Sequence, residues 1–576
     1  MKRRSFIESI CIAGGSLATL PVTAAPIWEQ STPVQVSESG KTWQADIVIA
    51  GGGVGGCAAA FAALRNGLNV VMTEPTDWIG GQLTQQGVPP DEHDWIEHYG
   101  ATALYREFRT RVREYYKTHY PLNDKARNAK YFNPGNADVS AISHEPRVAL
   151  AVLEQMFAPY ISTGRMHILK EHHVLRAEVS GKKVRALYAR NLRDKSLCKL
   201  TGSYVVDATE LGELLPLTGT AYVTGTESKT ETGELHAPQV ADPENNQAFT
   251  ACFAMDYVPG ENWTIPEPEE YRFWKNYTPE MSPAWAGKLL ELNYSNPKTL
   301  QPKVLGFDPT TGEMDDRLNL WIYRRILDKD NFDPGFYRGD ISIVNWPQND
   351  YWLGNIVEAA PDVFQHHFER GKQLSLSLLY WLQTEAPRPD GGKGWPGLRL
   401  RQDIMGTEDG LAKYPYVRES RRIRSLFTIL EEHVGKKQRM MVSGATGEHV
   451  KAREFPDSVG IGYYHIDLHP STGGDNYIDF DSLRFQIPLG SLIPEQTENL
   501  LPACKNIGTT HITNGCYRLH PVEWSIGEAV GVLIPFLLQN KLTPQQLYAK
   551  KHKIEEFQKR IEAQGIATRW PEDGSY

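Results

Sequence analysis

The sequence predicts an α/β fold: a parallel-sheet nucleotide-binding domain assembled from N-terminal, middle and C-terminal segments, with an inserted α+β substrate domain. Three observations predict it. Residues 46–50 form a short apolar strand that runs directly into a glycine cluster, Gly51 to Gly56. A second apolar strand that ends in small residues recurs at 203–209. A third strand at 499–504 precedes the long apolar helix expected at 522–538. At 576 residues the chain exceeds the size at which one hydrophobic core keeps growing, so more than one domain is expected.

The N-terminus reads as an export signal. Lys2, Arg3 and Arg4 precede an apolar stretch at 10–20, and small residues at 22–25 suit cleavage, which sets the predicted signal at 1–25. Arg3-Arg4-Ser5-Phe6-Ile7 matches a twin-arginine signal, which implies a folded, periplasmic protein; an ordinary secretory signal is the alternative. The apolar stretch is too short to span a bilayer, so no stable membrane anchor is expected. A polar linker is read at 26–44. The net charge of −9 offers no basic face, which argues against a nucleic-acid partner. Signal removal leaves Cys57, Cys198, Cys252, Cys504 and Cys516, scattered and without a C-x-x-C pair, so neither a disulfide framework nor a metal site is indicated. The 14 Trp and 26 Tyr point either to an aromatic core or to a surface for flat, sugar-like ligands.

The glycine cluster contains G-x-G-x-x-G at Gly51, Gly53 and Gly56. The first glycine makes the tight turn, the second lets backbone approach a pyrophosphate, and the third packs helix against strand. The helix read at 57–66 aims its first amides at the phosphates. A second strand at 68–73 then delivers Glu74 to the position of a carboxylate that accepts ribose hydroxyls. Together these make a Rossmann-type dinucleotide unit.

Further along, 100–116 reads as a helix, and Glu145-Pro146 starts another over 148–157. Strands at 166–169, 174–180, 182–191 and 199–206 alternate as a β-meander, completing the first part of the nucleotide domain at 45–226. From 227 to 490 Pro, Trp and Tyr become frequent and the α/β alternation fades, which marks the inserted substrate domain. Within it 376–383 and 419–434 read as helices. Residues 491–545 return to the nucleotide domain, and 546–576 read as a charged helical tail.

After Glu74 comes a Gly/Gln-rich loop, Gly80-Gly81-Gln82 continuing to Gly87. It resembles the loop that passes beneath the flavin in glutathione-reductase-like flavoproteins, and this resemblance implies FAD rather than NAD. The stretches 78–88, 206–217, 345–352, 398–423 and 500–531 resemble the bacterial group known as FAD-dependent oxidoreductases. The resemblance implies that Val174 lies near the adenine, that Ala208 and Thr209 close over the nucleotide, and that the helix bearing Gly531 faces the flavin pyrimidine. Where many relatives carry a Gly-Asp pair, this chain has Cys504-Lys505-Asn506, which shifts the ribityl contacts to Asn506 or to backbone amides around Gly508. The expected cofactor set is therefore Gly51, Gly53, Gly56, Glu74, Gly80, Gly81, Gln82, Val174, Ala208, Thr209, Asn506, Gly508 and Gly531.

Catalytic candidates come from two stretches. If 463–469 is a strand, Tyr463, His465, Asp467 and His469 share one polar face, with His465 the candidate base. The loop at 505–521 precedes the flavin-facing helix, which makes His511, Arg518 and His520 candidates for substrate contact. Arg418, Arg421 and Arg422 are read on one helix face, either as a carboxylate site or as an ion-paired surface. With one dinucleotide fingerprint and no second, the expectation is an exported enzyme that oxidises a small polar, sugar-derived substrate by hydride transfer to flavin N5. Electrons would then pass to an external acceptor. The alternatives are a redox-neutral flavin isomerase or reductase, or a non-catalytic flavin-containing binding protein of a polysaccharide-processing system.

Overall fold

The computed structural model describes residues 40–312 and 314–571, so the predicted signal and most of the linker lie outside the described residues. The central sheet has five parallel strands. In chain order they are β2 (Ile47–Ala50), β3 (Val70–Glu74), β4 (Met166–Lys170), β8 (Tyr204–Asp207) and β17 (Leu500–Pro502), and across the sheet they run β17-β8-β2-β3-β4. Strands from three distant stretches thus lie side by side. All four residues of β2 and of β8 are buried, as expected for strands covered on both faces.

Helix α1 (Val54–Arg65) crosses from β2 to β3. Helices α2 (Ala103–His119) and α3 (Pro146–Ser162) follow, with Glu145 at the cap of α3 and Pro146 in its first turn, where a missing N–H costs nothing. An antiparallel meander of β5 (His172–Ser180), β6 (Lys183–Asn191) and β7 (Leu197–Thr201) comes next. Two sequence expectations change here. The strand read at 166–169 pairs in parallel with β3 and belongs to the central sheet. The end of the expected linker is β1 (Thr42–Gln44), which extends the meander by pairing in parallel with β7.

The inserted region contains a sheet of β9 (Phe253–Tyr257), β10 (Arg325–Leu327), β11 (Ile341–Val344) and β12 (Leu398–Leu400), in the order β10-β11-β9-β12. Helix α4 (Pro361–Thr384) buries Phe364, Phe368, Leu374, Leu378 and Leu382, an apolar stripe at helical spacing. These residues join an aromatic core that holds seven tryptophans, among them Trp274, Trp321 and Trp346, so much of the aromatic content is interior packing. The helix expected at 419–434 does not form. Arg422–Ile423 instead pairs antiparallel with Tyr222–Val223, and only Glu431–Val434 is helical. Burial of an extended segment by long-range pairing overrides its local helical periodicity.

Strand β13 (Ser458–Gly462) pairs with β16 (Phe485–Pro488), and between them β14 (Ile466–Leu468) pairs with β15 (Ile478–Phe480). The stretch expected as a loop before the last helix contains a short helix, α5 (His511–Tyr517), capped by the Thr510 hydroxyl. Helix α6 (His520–Asn540) then packs against α1 in the largest core. Among the described residues α6 is the helix long and apolar enough to cross a membrane, and it is buried within the fold. The expected charged tail is a packed element: α7 (Lys551–Glu562) buries Ile554, Phe557 and Ile561 on one face.

Candidate active site

The glycine turn is built by close backbone approach. Gly51 has φ of +94°, and a Cβ there would lie 2.2 Å from the Ala208 carbonyl oxygen. A Cβ on Gly56 would lie 2.2 Å from the Gly51 carbonyl oxygen. The Gly80 amide donates to the Gly52 carbonyl at 2.7 Å, and a Cβ on Gly81 would lie 2.9 Å from the Gly53 Cα. The Gly/Gln loop therefore rests on the turn. Gln82 ties it to the start of α6 by donating to the Arg518 carbonyl at 3.0 Å and to Glu523 at 2.6 Å.

Glu74 ends β3, where one carboxylate oxygen accepts from the Gly52 amide at 3.0 Å and the other from the Thr76 amide and hydroxyl at 2.8 and 2.9 Å. Burial pushes its pKa up to about 7. Gly51, Gly53, Glu74, Ala208, Thr209 and Glu210 line a small cavity of about 20 Å³, together with Glu213 and Tyr414. Glu213 also borders a larger, mainly apolar cavity of about 260 Å³, walled by Val174, Leu211, Leu217, Ile356 and Phe364. The two cavities meet at Glu213, so a polar compartment at the glycine turn continues into an apolar one.

Behind the turn lies a buried charge cluster. Lys505 pairs with Glu210, and its ammonium is 3.8 Å from Glu523, whose other oxygen accepts from the Gly55 amide at 3.1 Å. Burial works to lower the Lys505 pKa, but the surrounding thiol and carboxylates hold it well above the usual value. Ligand atoms of Glu210, Cys504 and Glu523 lie within 4.8 Å of one another, and the Lys505 ammonium supplies positive charge among them.

A second chamber, about 140 Å³, lies in the inserted region. His465, Asp467, His469, Arg324, Arg418 and Tyr416 line it, with Tyr294, Tyr323, Trp346, Tyr464 and Tyr477 as aromatic walls. His469 Nδ1 is 2.5 Å from Asp350, and its Nε2 is 3.5 Å from Asp467. His465 Nδ1 is 2.7 Å from Asp479. Burial works against charge on His465, but the Asp479 hydrogen bond and the Asp467 charge raise its pKa overall. Arg518 joins the chamber to the Gly/Gln loop: its guanidinium donates to the Tyr416 hydroxyl and to Asp467, both at 3.0 Å, while its carbonyl accepts from Gln82. Tyr414 of the nucleotide cavity and Tyr416 of the chamber are two residues apart, so the two spaces adjoin along this segment.

Residues 46–561 match the sequence family described as "FAD dependent oxidoreductase". The chain belongs to this family. The solved structures to which it is similar include E. coli quinol fumarate reductase FrdA, in a mutant form. That match has 11% identity and a TM-score of 0.30, and covers 91% of this chain and 74% of that one. Another is Mycobacterium smegmatis Sdh1 in complex with UQ1, with 12% identity and a TM-score of 0.23, covering 37% and 45% of the two chains. L-proline dehydrogenase from P. horikoshii matches at 15% identity and a TM-score of 0.17, over 32% and 24%. The chain thus spans less than half the length of Sdh1 and of the proline dehydrogenase.

The oxidoreductase uses FAD, and its residues fit that cofactor. The glycine turn has no side chain where a diphosphate must approach, and the apolar cavity beside Val174 suits an adenine ring. The Gln86 amide and the Gln82 and Glu210 side-chain oxygens are buried without protein partners around the Gly/Gln loop, polar atoms that a bound cofactor can satisfy. Three expected cofactor residues lie elsewhere. Asn506 accepts from the Cys504 amide and donates to the Asp207 carbonyl, tying β17 to β8. Gly508 permits close contact with Ser425, and Gly531 permits close contact of α6 with α1 at Ala59. Like Gly56, Gly80, Gly81 and Gln82, these three do not line either nucleotide cavity.

The catalytic candidates separate in the same way. His465 lines the chamber and Arg518 braces it from behind. His511 is buried, with Nδ1 2.8 and 3.0 Å from the two oxygens of Glu419, which also pairs with Arg422 at 2.5 Å. Burial opposes charge on His511, but Glu419 raises its pKa, so this histidine holds α5 through an ion pair. His520 Nδ1 accepts from the Asp91 amide at 3.1 Å, and burial lowers its pKa to about 4. Arg418, Arg421 and Arg422 share no helix face. They pair separately, with Asp350, Glu358 and Glu227/Glu419. Sequence reasoning missed Asp350, Arg324, Tyr416 and Glu213 and passed over His469, although Asp350 falls in the resembling stretch 345–352 and His469 in the alternating one.

Glu213 supports one prediction here. Burial pushes its pKa up to about 8, Arg421 opposes this, and Asp207, Glu74 and Glu210 add to it. Below that pH the carboxyl is neutral; above it a carboxylate lines the cavity at the glycine turn that a diphosphate would enter. Binding of FAD to the apoprotein is therefore expected to weaken above about pH 8, by up to roughly tenfold per pH unit, and Glu213→Gln should flatten the profile. Flavin fluorescence titrations at several pH values check this, and an unchanged profile in the variant refutes it.

Proposed function

We propose that this oxidoreductase oxidises an alcohol group of a small, sugar-derived substrate held in the chamber, with His469 as the proton acceptor. The observation that carries this reading is the setting of His469. Its Nδ1 lies against Asp350 and its Nε2 against Asp467, so one carboxylate orients the imidazole and the other stabilises the imidazolium that proton uptake would form. Bound FAD supplies the two-electron acceptor at N5 for the hydride that leaves the carbinol carbon, as the hydroxyl proton leaves and a carbonyl forms. The aromatic walls offer flat faces to the C–H surfaces of a sugar ring, and the Arg, His and Asp side chains bond its hydroxyls. We also propose export to the periplasm, supported by Arg3-Arg4-Ser5-Phe6-Ile7, and reoxidation by an external acceptor, supported by the single dinucleotide fingerprint.

Anaerobic mixing of the holoenzyme with sugars and sugar alcohols tests the reading. Bleaching of the oxidised flavin band with formation of the carbonyl product is the expected result. Product without bleaching would assign a redox-neutral isomerase. A flavin that no member of the panel reduces or turns over would favour a binding protein.

A further inference from the structure

We infer that the substrate of the chamber carries a carboxylate taken up by Arg324, so that the molecule oxidised is a sugar acid. This rests on the chamber being the substrate site and adds the charge of what enters it. The inference comes from comparing the donors and acceptors that border the space.

Arg324 is buried and lines the chamber between a helical turn, Leu320–Tyr323, and strand β10. A guanidinium has five N–H donors and no acceptor. Arg324 spends one from each terminal nitrogen on Asp91, at 2.9 and 3.4 Å, and also bonds the Tyr323 hydroxyl, while its Nε–H has no partner. Arg418, on the same chamber, is more fully used: it reaches the Ala248 carbonyl, Thr250, Asn345 and Asp350, with only its Nε–H left over. The Trp346 indole N–H and the Tyr477 hydroxyl border the same space, also without partners.

The carboxylates are engaged through at least one oxygen each. Asp350 accepts from Thr250 and Arg418 on one oxygen and faces His469 on the other. Asp467 accepts from Arg518 and lies beside His469, and Asp479 faces His465. Of the two guanidinium groups that line the chamber, Arg324 therefore keeps more unused donors than Arg418. A hydroxyl brings a donor along with its acceptors, whereas a carboxylate brings acceptors alone and matches a guanidinium fork. Charge balance agrees. Around the chamber Arg324, Arg418 and Arg518 face Asp91, Asp350 and Asp467, and Asp479 faces His465. When His469 takes the substrate proton the chamber gains a positive charge, which a carboxylate on the substrate offsets.

The test is titration of oxidised holoenzyme with malonate, D-glucuronate and D-glucose, read from the visible flavin spectrum and repeated under anaerobic turnover. Saturable binding of both acids is expected, with glucuronate at least about tenfold tighter than glucose. Arg324→Gln should lose most of that preference, with KM for the acid rising more than kcat falls. Because this change strands Asp91, the Arg324→Gln/Asp91→Asn double variant, which removes both buried charges, should show the same loss with FAD retained. Equal binding of glucose and glucuronate by the unaltered enzyme overturns the inference, and so does an acid preference that survives in both variants. Equal bleaching by glucose and glucuronate leaves the oxidation reading standing without the carboxylate. Acids that bind through Arg324 without any sugar or sugar acid reducing the flavin support the inference and remove the oxidation reading.

Discussion

Replacing His469 by glutamine is expected to slow substrate reduction of the flavin by about 10²- to 10⁴-fold, while FAD content stays unchanged. Glutamine is close in size and its amide still reaches Asp350, so the chamber wall is kept and only the proton-accepting nitrogen is removed. The size of the effect follows from how the imidazole is held. Asp350 is fully buried, receives Arg418 and Thr250 on its other oxygen, and places His469 Nδ1 at 2.5 Å. That arrangement fixes the tautomer and aims Nε2 away from Asp350, with Asp467 at 3.5 Å to stabilise the charge that develops. Stopped-flow reduction under anaerobic conditions measures the step directly. A rate within about threefold of the unaltered enzyme would remove His469 from the chemistry.

The second large effect is structural and bears on the cofactor. A Cβ on Gly527 would lie 2.1 Å from the Gly55 carbonyl oxygen, and one on Gly531 would lie 2.4 Å from the Ala59 carbonyl oxygen. On the other side, a Cβ on Gly55 would lie 1.6 Å from the Ala503 carbonyl oxygen. Helices α1 and α6 therefore meet backbone to backbone, directly behind the glycine turn. Gly527→Val cannot be absorbed by a side-chain rotation, since the obstacle is main chain. Parting the helices is expected to cost at least about 3 kcal/mol and to displace the turn that faces the diphosphate. The variant should purify without FAD or fail to accumulate in soluble form. Gly312→Ala, where an added Cβ meets nothing within 4 Å, is the matched control and should retain FAD. Flavin-to-protein absorbance ratios of the two variants decide the matter, and a flavin-loaded Gly527→Val protein would contradict the packing argument.

Much of the nucleotide-binding half was legible because its signals are local. Gly51, Gly53 and Gly56 follow a buried strand at once, and Glu74 ends the next strand, so a few tens of residues contain the whole strand–turn–helix–strand unit. Pro146 marked the first turn of a helix for the same reason: a fixed φ and a missing N–H act within one turn. The alternation of His465, Asp467 and His469 likewise placed three chamber residues on one side of a short strand.

Local periodicity misled where tertiary pairing competed with it. Residues 419–434 have basic and apolar residues at helical spacing, yet Arg422–Ile423 is a strand against Tyr222–Val223, and the buried Arg418 and Arg422 find partners far away in sequence. His511 looked poised over the flavin because it precedes the last helix. Glu419, 92 residues earlier, turned it into a buried ion-pair partner. The Trp and Tyr content was equally ambiguous in one dimension, since an aromatic core and an aromatic chamber have the same composition and here both are present.

The sequence by itself determined the cofactor class, the strand that carries the glycine turn, and the return of the chain near its C-terminus to complete the sheet. The strand and its turn follow from short-range stereochemistry: two- and 3.6-residue periods, and glycines needed where backbone meets backbone. FAD rather than NAD followed from the resemblance of the Gly80-Gly81-Gln82 loop to that of known flavoproteins. Only the tertiary structure decided which charged side chains share a chamber. Asp91, Arg324, Asp350, Arg418, His469 and Arg518 come from well-separated stretches, and no period or spacing links them. The free energy that brings them together is burial of apolar surface spread over the whole chain, and it leaves no mark at the residues it positions.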